Sequence, residues 1–208
     1  MKPRIAILDY GVGNLRSIKR GLERCGADAY ISSNDRELFS GDALVLPGVG
    51  AFCDAMDDLR VFEDEIKSYV EEKPILGICL GLQLLFTESE ENGLHKGLGL
   101  LKGKVVMLPN TVKIPHMGWN STEIKRETSF LRGLRSGEFF YYVHSYYAAP
   151  VDDITSATTT YGVEVPAVVE WNNIYATQFH PEKSGKAGLL LLRNFVDIAA
   201  GRQPKMLK

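Results

Sequence analysis

The sequence has little cysteine, little net charge and no long hydrophobic run, and each shortage removes a class of protein. Its three cysteines, Cys25, Cys53 and Cys79, give neither the even count of a disulfide framework nor the C-x-x-C spacing of a zinc or redox site. Lys and Arg total 24 against 26 Asp and Glu, so no field of one sign argues for nucleic acid or an anionic membrane, and the expected substrate is a small molecule. The first apolar run, Ile5 to Leu8, is too brief for a signal-peptide core and far too brief to span a bilayer, which points to a cytoplasmic protein. No repeat, low-complexity tract or long linker interrupts the 208 residues. With 45% hydrophobic residues they can close one substantial core, and a single domain over residues 1–208 is expected.

What is present changes texture half-way. In the first half, short apolar runs at residues 4–9, 42–46 and 74–78 read as strands. Each is followed by a glycine-containing loop and a helical stretch: residues 14–25, a segment reaching Glu72, and residues 81–88. That alternation predicts an α/β fold, an open and mostly parallel sheet flanked by helices, with ligands beyond the carboxyl ends of its strands. After Gly103 the chain is β-rich, with strands expected at 104–108, 119–124, 138–143, 154–160, 163–171 and 174–179. Trp171-Asn172-Asn173-Ile174 has the composition of a tight turn, because asparagine tolerates positive φ. A last helix, about 184–200, carries Leu189, Leu192, Phe195 and Val196 on one face and should close the fold against the sheet.

The strongest local signal is Gly77-Ile78-Cys79-Leu80-Gly81, where an apolar strand ends in Gly-x-Cys-x-Gly and opens a helix. This is a nucleophile elbow with cysteine in place of serine. The following helix amino terminus would favour the reactive thiolate. A lone cysteine is more often a buried core residue. Two flanking glycines, which weaken a plain core strand, argue against that here.

A thiolate needs a proton shuttle, and His180 has the best setting among the four histidines. Pro181 biases it to extended geometry, so His180 and Glu182, two residues apart, can project to the same side and the carboxylate can orient the imidazole. Taken alone, His-Pro-Glu reads equally well as an ordinary strand exit. Acyl transfer also needs donors for the oxyanion. Gly48-Val49-Gly50, following a strand at the same sheet edge, and Leu80, directly after the nucleophile, are placed to supply backbone N–H groups. By itself the glycine segment is as easily a simple turn.

Other features support less. Gly11-Val12-Gly13 suggests a dinucleotide loop, but Arg16 occupies the position where that fingerprint needs a third small residue. His95 reads as exposed, His116 as part of a loop packed by Trp119, and His144 as a structural histidine at the end of an aromatic strand. No metal and no cofactor is assigned. The aromatic run around Tyr141 lacks the basic cluster that nucleic-acid stacking would need.

With Gly77-Ile78-Cys79-Leu80-Gly81-Leu82-Gln83 and Gln178-Phe179-His180-Pro181-Glu182-Lys183-Ser184 both in view, the chain resembles the class I, or triad, glutamine amidotransferases. The segments Asp9 to Leu15, Leu46 to Phe52, Pro115 to Asn120 and Tyr142 to Tyr146 are similar, more narrowly, to the glutaminase subunits of imidazole glycerol phosphate synthases. The resemblance implies that Cys79 attacks the side-chain amide of L-glutamine, His180 transfers the proton to departing ammonia, and Glu182 orients His180. It implies further that Gln83, His144, Ser145 and Tyr146 hold glutamine, and that Gly48, Val49, Gly50 and Leu80 form the oxyanion hole. The implied partner is a (β/α)8-barrel cyclase subunit in a heterodimer, met near Asn14, Trp119, Tyr141 and Lys183. Ammonia passes to that cyclase, which makes imidazole glycerol phosphate and an aminoimidazole carboxamide ribotide for histidine biosynthesis. The competing expectations are a glutaminase subunit of another synthase, a stand-alone γ-glutamyl cysteine hydrolase, and a non-catalytic binding subunit.

Overall fold

A computed structural model describes residues 1–11 and 13–202. β1 (Arg4–Leu8) leads into α1 (Leu15–Arg24), followed by β2 (Asp28–Ser32), the single turn α2 (Asp35–Leu38), β3 (Ala43–Leu46), α3 (Phe52–Leu59), α4 (Glu63–Glu72), β4 (Ile75–Ile78) and α5 (Leu80–Leu84). Then come β5 (Phe86–Ser89), β6 (His95–Lys96), β7 (Leu101–Met107), β8 (His116–Ile124), β9 (Glu138–His144), β10 (Tyr146–Pro150), β11 (Thr155–Tyr161), β12 (Val163–Trp171) and β13 (Ile174–Thr177). The closing helix is α6 (Gly185–Ala199).

Nine strands form one sheet in the order β2-β1-β3-β4-β13-β12-β11-β8-β9. Pairs from β2 to β13 are parallel; those from β13 to β9 are antiparallel. A four-stranded sheet, β10-β7-β5-β6, adds to the β-rich second half. Successive residues of the parallel strands face opposite cores, as the two-residue period of a strand requires. Ala6, Leu8, Leu44 and Leu46 join Phe52, Met56, Ile66 and Leu82 from the helices α3 to α5. Ile5, Ile7, Ala43 and Val45 join Ile18, Leu22, Leu192 and Phe195 from α1 and α6. Helices therefore cover both faces. Among the described residues, no helix is long and apolar enough to cross a membrane.

Several local expectations change. The helix expected over 81–88 stops at Leu84, and Phe86 begins a strand that pairs with β7. Leu82, Leu84, Leu85 and Phe86 are all fully buried, so the apolar run carries no period by which to tell helix from strand. The segment reaching Glu72 is two helices joined by a 3-10 turn at Arg60–Phe62. β2, β5, β6 and β10 are additional strands. His116 begins β8 and is buried, and Trp119 is exposed rather than packing a loop. His95 is half-buried in β6. The 171–174 turn forms as expected, with Asn172 at φ 51°. On α6 the buried face is Leu191, Leu192, Phe195 and Val196, and Leu189 lies at its margin.

β3, β4 and β13 are neighbours and run parallel. Their carboxyl ends thus bring together the loop at Gly48, the residue Cys79 and the segment leading to His180.

Candidate active site

Cys79 stands between β4 and α5 at φ 54°, ψ −105°, a conformation that costs a non-glycine residue on the order of 1–3 kcal/mol and gathers at functional sites. Its neighbours make the turn sterically feasible. A Cβ on Gly77 would come within 2.8 Å of the Gly81 carbonyl oxygen, one on Gly48 within 2.6 Å of Leu80 Cβ, and one on Gly81 would collide with the Leu46 carbonyl. Three glycines thus lock the elbow against the end of β3. A plain core cysteine would need none of this.

His180 follows β13, and its backbone N–H donates to the Tyr141 carbonyl at 2.9 Å. Ser184 Oγ donates to the His180 carbonyl at 2.6 Å and accepts from the Tyr141 N–H at 3.0 Å, fixing the backbone from both sides. His180 Nδ1 donates to Glu182 Oε1 at 2.9 Å, and both side chains are buried. Burial by itself would push the imidazole down. The polar proximity of the Cys79 thiol and of the Glu182 carboxylate outweighs it and raises His180 to about 10. With Nδ1 committed, Nε2 is the nitrogen left for proton transfer; it is buried and makes no hydrogen bond of good geometry among the described residues. Loose catalytic hydrogen bonds are common before substrate binds.

A cavity of about 300 Å³ opens over the thiol. Val49, Gly50 and Leu80 line one part of it, and Gln83, His144, Ser145 and Tyr146 another. Gly48 is not on the wall; it lies beneath, packed on Leu80 and Gly81. Glu91 is a lining residue with no sequence signal, because its acidic stretch reads as a solvated surface. Its Oε2 accepts from the Phe52 N–H at 2.9 Å, which fixes a carboxylate at the cavity wall. A larger hollow, about 860 Å³, lies among residues 124–136 and holds none of these groups.

The sequence model of the family glutamine amidotransferase class-I matches residues 6–199. The chain belongs to the class I glutamine amidotransferases. Among its relatives in this family, it is 54% identical over 196 residues to "Imidazole glycerol phosphate synthase subunit HisH" of Methanothermobacter thermautotrophicus, covering 93% of this chain and 98% of the relative. The protein of the same name from Caldanaerobacter subterraneus is 51% identical over 195 residues, covering 92% and 96%. The fold is similar to that in the structure of PurLQS from Thermotoga maritima, with a TM-score of 0.76 at 23% identity, covering 95% of this chain and 99% of that one.

In this class I amidotransferase His144, on the cavity wall, has a fixed tautomer. His144 Nδ1 lies 2.9 Å from the Tyr146 carbonyl and must donate to it, so His144 Nε2 accepts from His116 Nδ1 at 3.0 Å. His116 Nε2 in turn accepts from Asn120 Nδ2 at 3.3 Å. Burial holds His116 down at about 4; burial, then the neighbouring His116, holds His144 at about 3. His116 is stacked between Tyr142 and Tyr161, with ring centroids 4.8 and 3.9 Å away.

On the outer face of the amidotransferase's β8–β9 pair, Trp119 stands opposite Tyr141, the rings edge-to-face at 6.2 Å. Lys183 Nζ lies 5.7 Å from the Tyr141 ring centre. Trp119, Met117 and Phe139 are each more than half exposed. Asn14 opens α1, which packs against the Pro181–Lys183 turn.

Proposed function

We propose that the chain is the glutaminase subunit of an imidazole glycerol phosphate synthase, acting in the cytoplasm as one amidotransferase domain over residues 1–208. The observation that carries this reading is the strained Cys79 beside the buried His180–Glu182 pair, opening on a cavity of about 300 Å³. The 51% and 54% identity to proteins named as synthase subunits supports the narrower assignment.

In this mechanism the Cys79 thiolate attacks the side-chain amide carbon of glutamine, and the carbonyl π electrons move to oxygen. Backbone N–H groups of the 48–50 segment and of Leu80 receive that oxyanion. When the carbonyl re-forms, the C–N bond breaks and His180 protonates the leaving nitrogen, releasing ammonia and leaving a glutamyl thioester. Water then attacks the thioester. His180 takes its proton, the C–S bond breaks, and glutamate leaves. Glu182 keeps Nδ1–H of His180 hydrogen-bonded throughout. Gln83, Ser145, Tyr146 and the Glu91 carboxylate contact the glutamine. Glu91 faces its α-ammonium group, the charge that a carboxylate in the cavity wall complements.

The partner in this reading is the (β/α)8-barrel cyclase, docked on Trp119, Tyr141 and Lys183 with Asn14 at the edge. Exposed aromatic and methionine side chains on one strand pair suit such an interface. Ligand binding in the cyclase shifts the 48–50 segment between two backbone states, and a missing oxyanion donor slows turnover by about 100-fold to 1,000-fold. The test is glutamate release from glutamine by the chain alone, then with the cyclase and its nucleotide ligand. Strong stimulation that disappears in Cys79→Ala supports the assignment. High activity of the chain alone points instead to a free-standing hydrolase, and silence in every condition rejects the assignment.

A further inference from the structure

Gln178 is fully buried just beyond β13, and its Nε2 lies 3.7 Å from Cys79 Sγ, within the range of an N–H···S hydrogen bond. We propose that Gln178 is a catalytic residue of the glutaminase reaction, its side-chain amide donating to the Cys79 sulfur and holding it as the thiolate. This rests on Cys79 being the nucleophile, as argued above.

The sign of the contact decides its value. An amide has a donor end and an acceptor end of nearly the same shape; the donor end stabilises an anionic sulfur and the acceptor end repels it. Here the orientation is imposed from outside. The Tyr146 carbonyl can only accept, and Gln83 Nε2 lies 2.8 Å from it, so Gln83 turns its NH2 group that way. The second hydrogen of the same NH2 reaches Gln178 Oε1 at 3.3 Å. The Gln178 oxygen is thereby held toward Gln83 and its NH2 toward Cys79. Reversing Gln178 would set two NH2 groups against each other and a carbonyl against the sulfur.

Gln83 cannot turn over either, because the Tyr146 oxygen it serves also accepts from His144 Nδ1 at 2.9 Å. Every member of the series therefore has one polarity. Both Nε2 hydrogens of Gln83 are committed within the protein, so what Gln83 offers glutamine is its Oε1 acceptor.

His180 stands beside the sulfur as its proton shuttle, and the Val143 carbonyl, also 3.7 Å away, accepts from the thiol S–H and so favours the thiol. Gln178 opposes that preference in a water-poor setting, where a hydrogen bond to an ionised group is about twice as strong as a neutral one. The same contact helps twice in the cycle. It raises the thiolate population before attack, and it receives the thiolate again when water breaks the thioester.

The test is alkylation of the full chain by iodoacetamide at pH 7, followed peptide by peptide by mass spectrometry, with Cys25 and Cys53 as internal standards. Gln178→Met and Gln178→Leu both remove the donor and keep most of the bulk. Cys79 should alkylate roughly tenfold more slowly in each while Cys25 and Cys53 keep their rates. Wild-type alkylation at Cys79 in both variants would show a merely structural amide and overturn the proposal. Should those variants unfold, Gln83→Met decides the matter: it leaves Gln178 in place but frees its orientation, so Cys79 should slow, and an unchanged rate overturns the proposal. Because alkylation needs no glutamine, absence of ammonia release from the wild type would defeat the functional assignment without touching this result.

Discussion

Gly81 packs so closely on the end of β3 that any side chain at position 81 would collide with the Leu46 carbonyl oxygen. The obstacle is backbone, which cannot rotate away, so Gly81→Ala must separate the elbow from β3. The expected cost is about 3 kcal/mol or more, at the top of the range for overpacked cores. Urea unfolding of Gly81→Ala against wild type measures it, and an unchanged midpoint would show that the elbow relaxes freely.

Replacing Glu182 by glutamine removes the charge that helps hold His180 as imidazolium while keeping the side chain's shape. Turnover of glutamine in the assembled enzyme should fall by about 100-fold or more, with little change in KM. A loss confined to KM would place Glu182 in substrate binding rather than in orienting His180.

Glu91→Gln has the opposite signature. The amide oxygen can still accept from the Phe52 N–H, so the wall persists, but the charge proposed to meet the glutamine α-ammonium is gone. Glutamine affinity should drop about tenfold to 100-fold, the usual worth of a hydrogen bond to a charged group, with kcat largely kept. Equal binding of glutamine by both proteins in calorimetry would remove Glu91 from the pocket.

The neutral pair His116 and His144 gives the protein an acid limb. Folded, they take up protons only near pH 4 and pH 3, whereas an unfolded chain takes them up near pH 6.5. Between those values the unfolded state binds more protons, so stability falls as pH drops from about 6.5 toward 4. Thermal midpoints at pH 7 and pH 5 should differ, and His116→Gln should narrow the difference. Identical midpoints in the wild type would mean that the two rings protonate in place.

Trp119 is exposed and contacts Tyr141 only at its edge. Trp119→Ala should leave the fold intact and weaken binding of the proposed cyclase partner about 30-fold, the effect of a 2 kcal/mol hot spot. Undiminished affinity in a titration would move the interface elsewhere on the surface.

The sequence by itself determined the chemistry that is local. Gly77-Ile78-Cys79-Leu80-Gly81 specifies its own turn, because the glycines and the strained cysteine are neighbours in the chain. His180, Pro181 and Glu182 likewise contain their own pairing geometry. Of the parallel strands, β1, β3 and β4 were legible because each is a separate buried apolar run, whereas β2, half-buried at the sheet edge, was not. Tertiary structure decided what depends on distant partners. The residues after Leu84 became a strand because β7 was there to pair with them. Glu91 joined the pocket from an acidic stretch that looks solvated, and His116 moved from an apparent loop into a buried stack between two tyrosines. The polarity of Gln178 was decided farthest from its own position. It follows from the Tyr146 carbonyl through Gln83, and such a chain of donors and acceptors exists only once residues 83, 146 and 178 have been folded together.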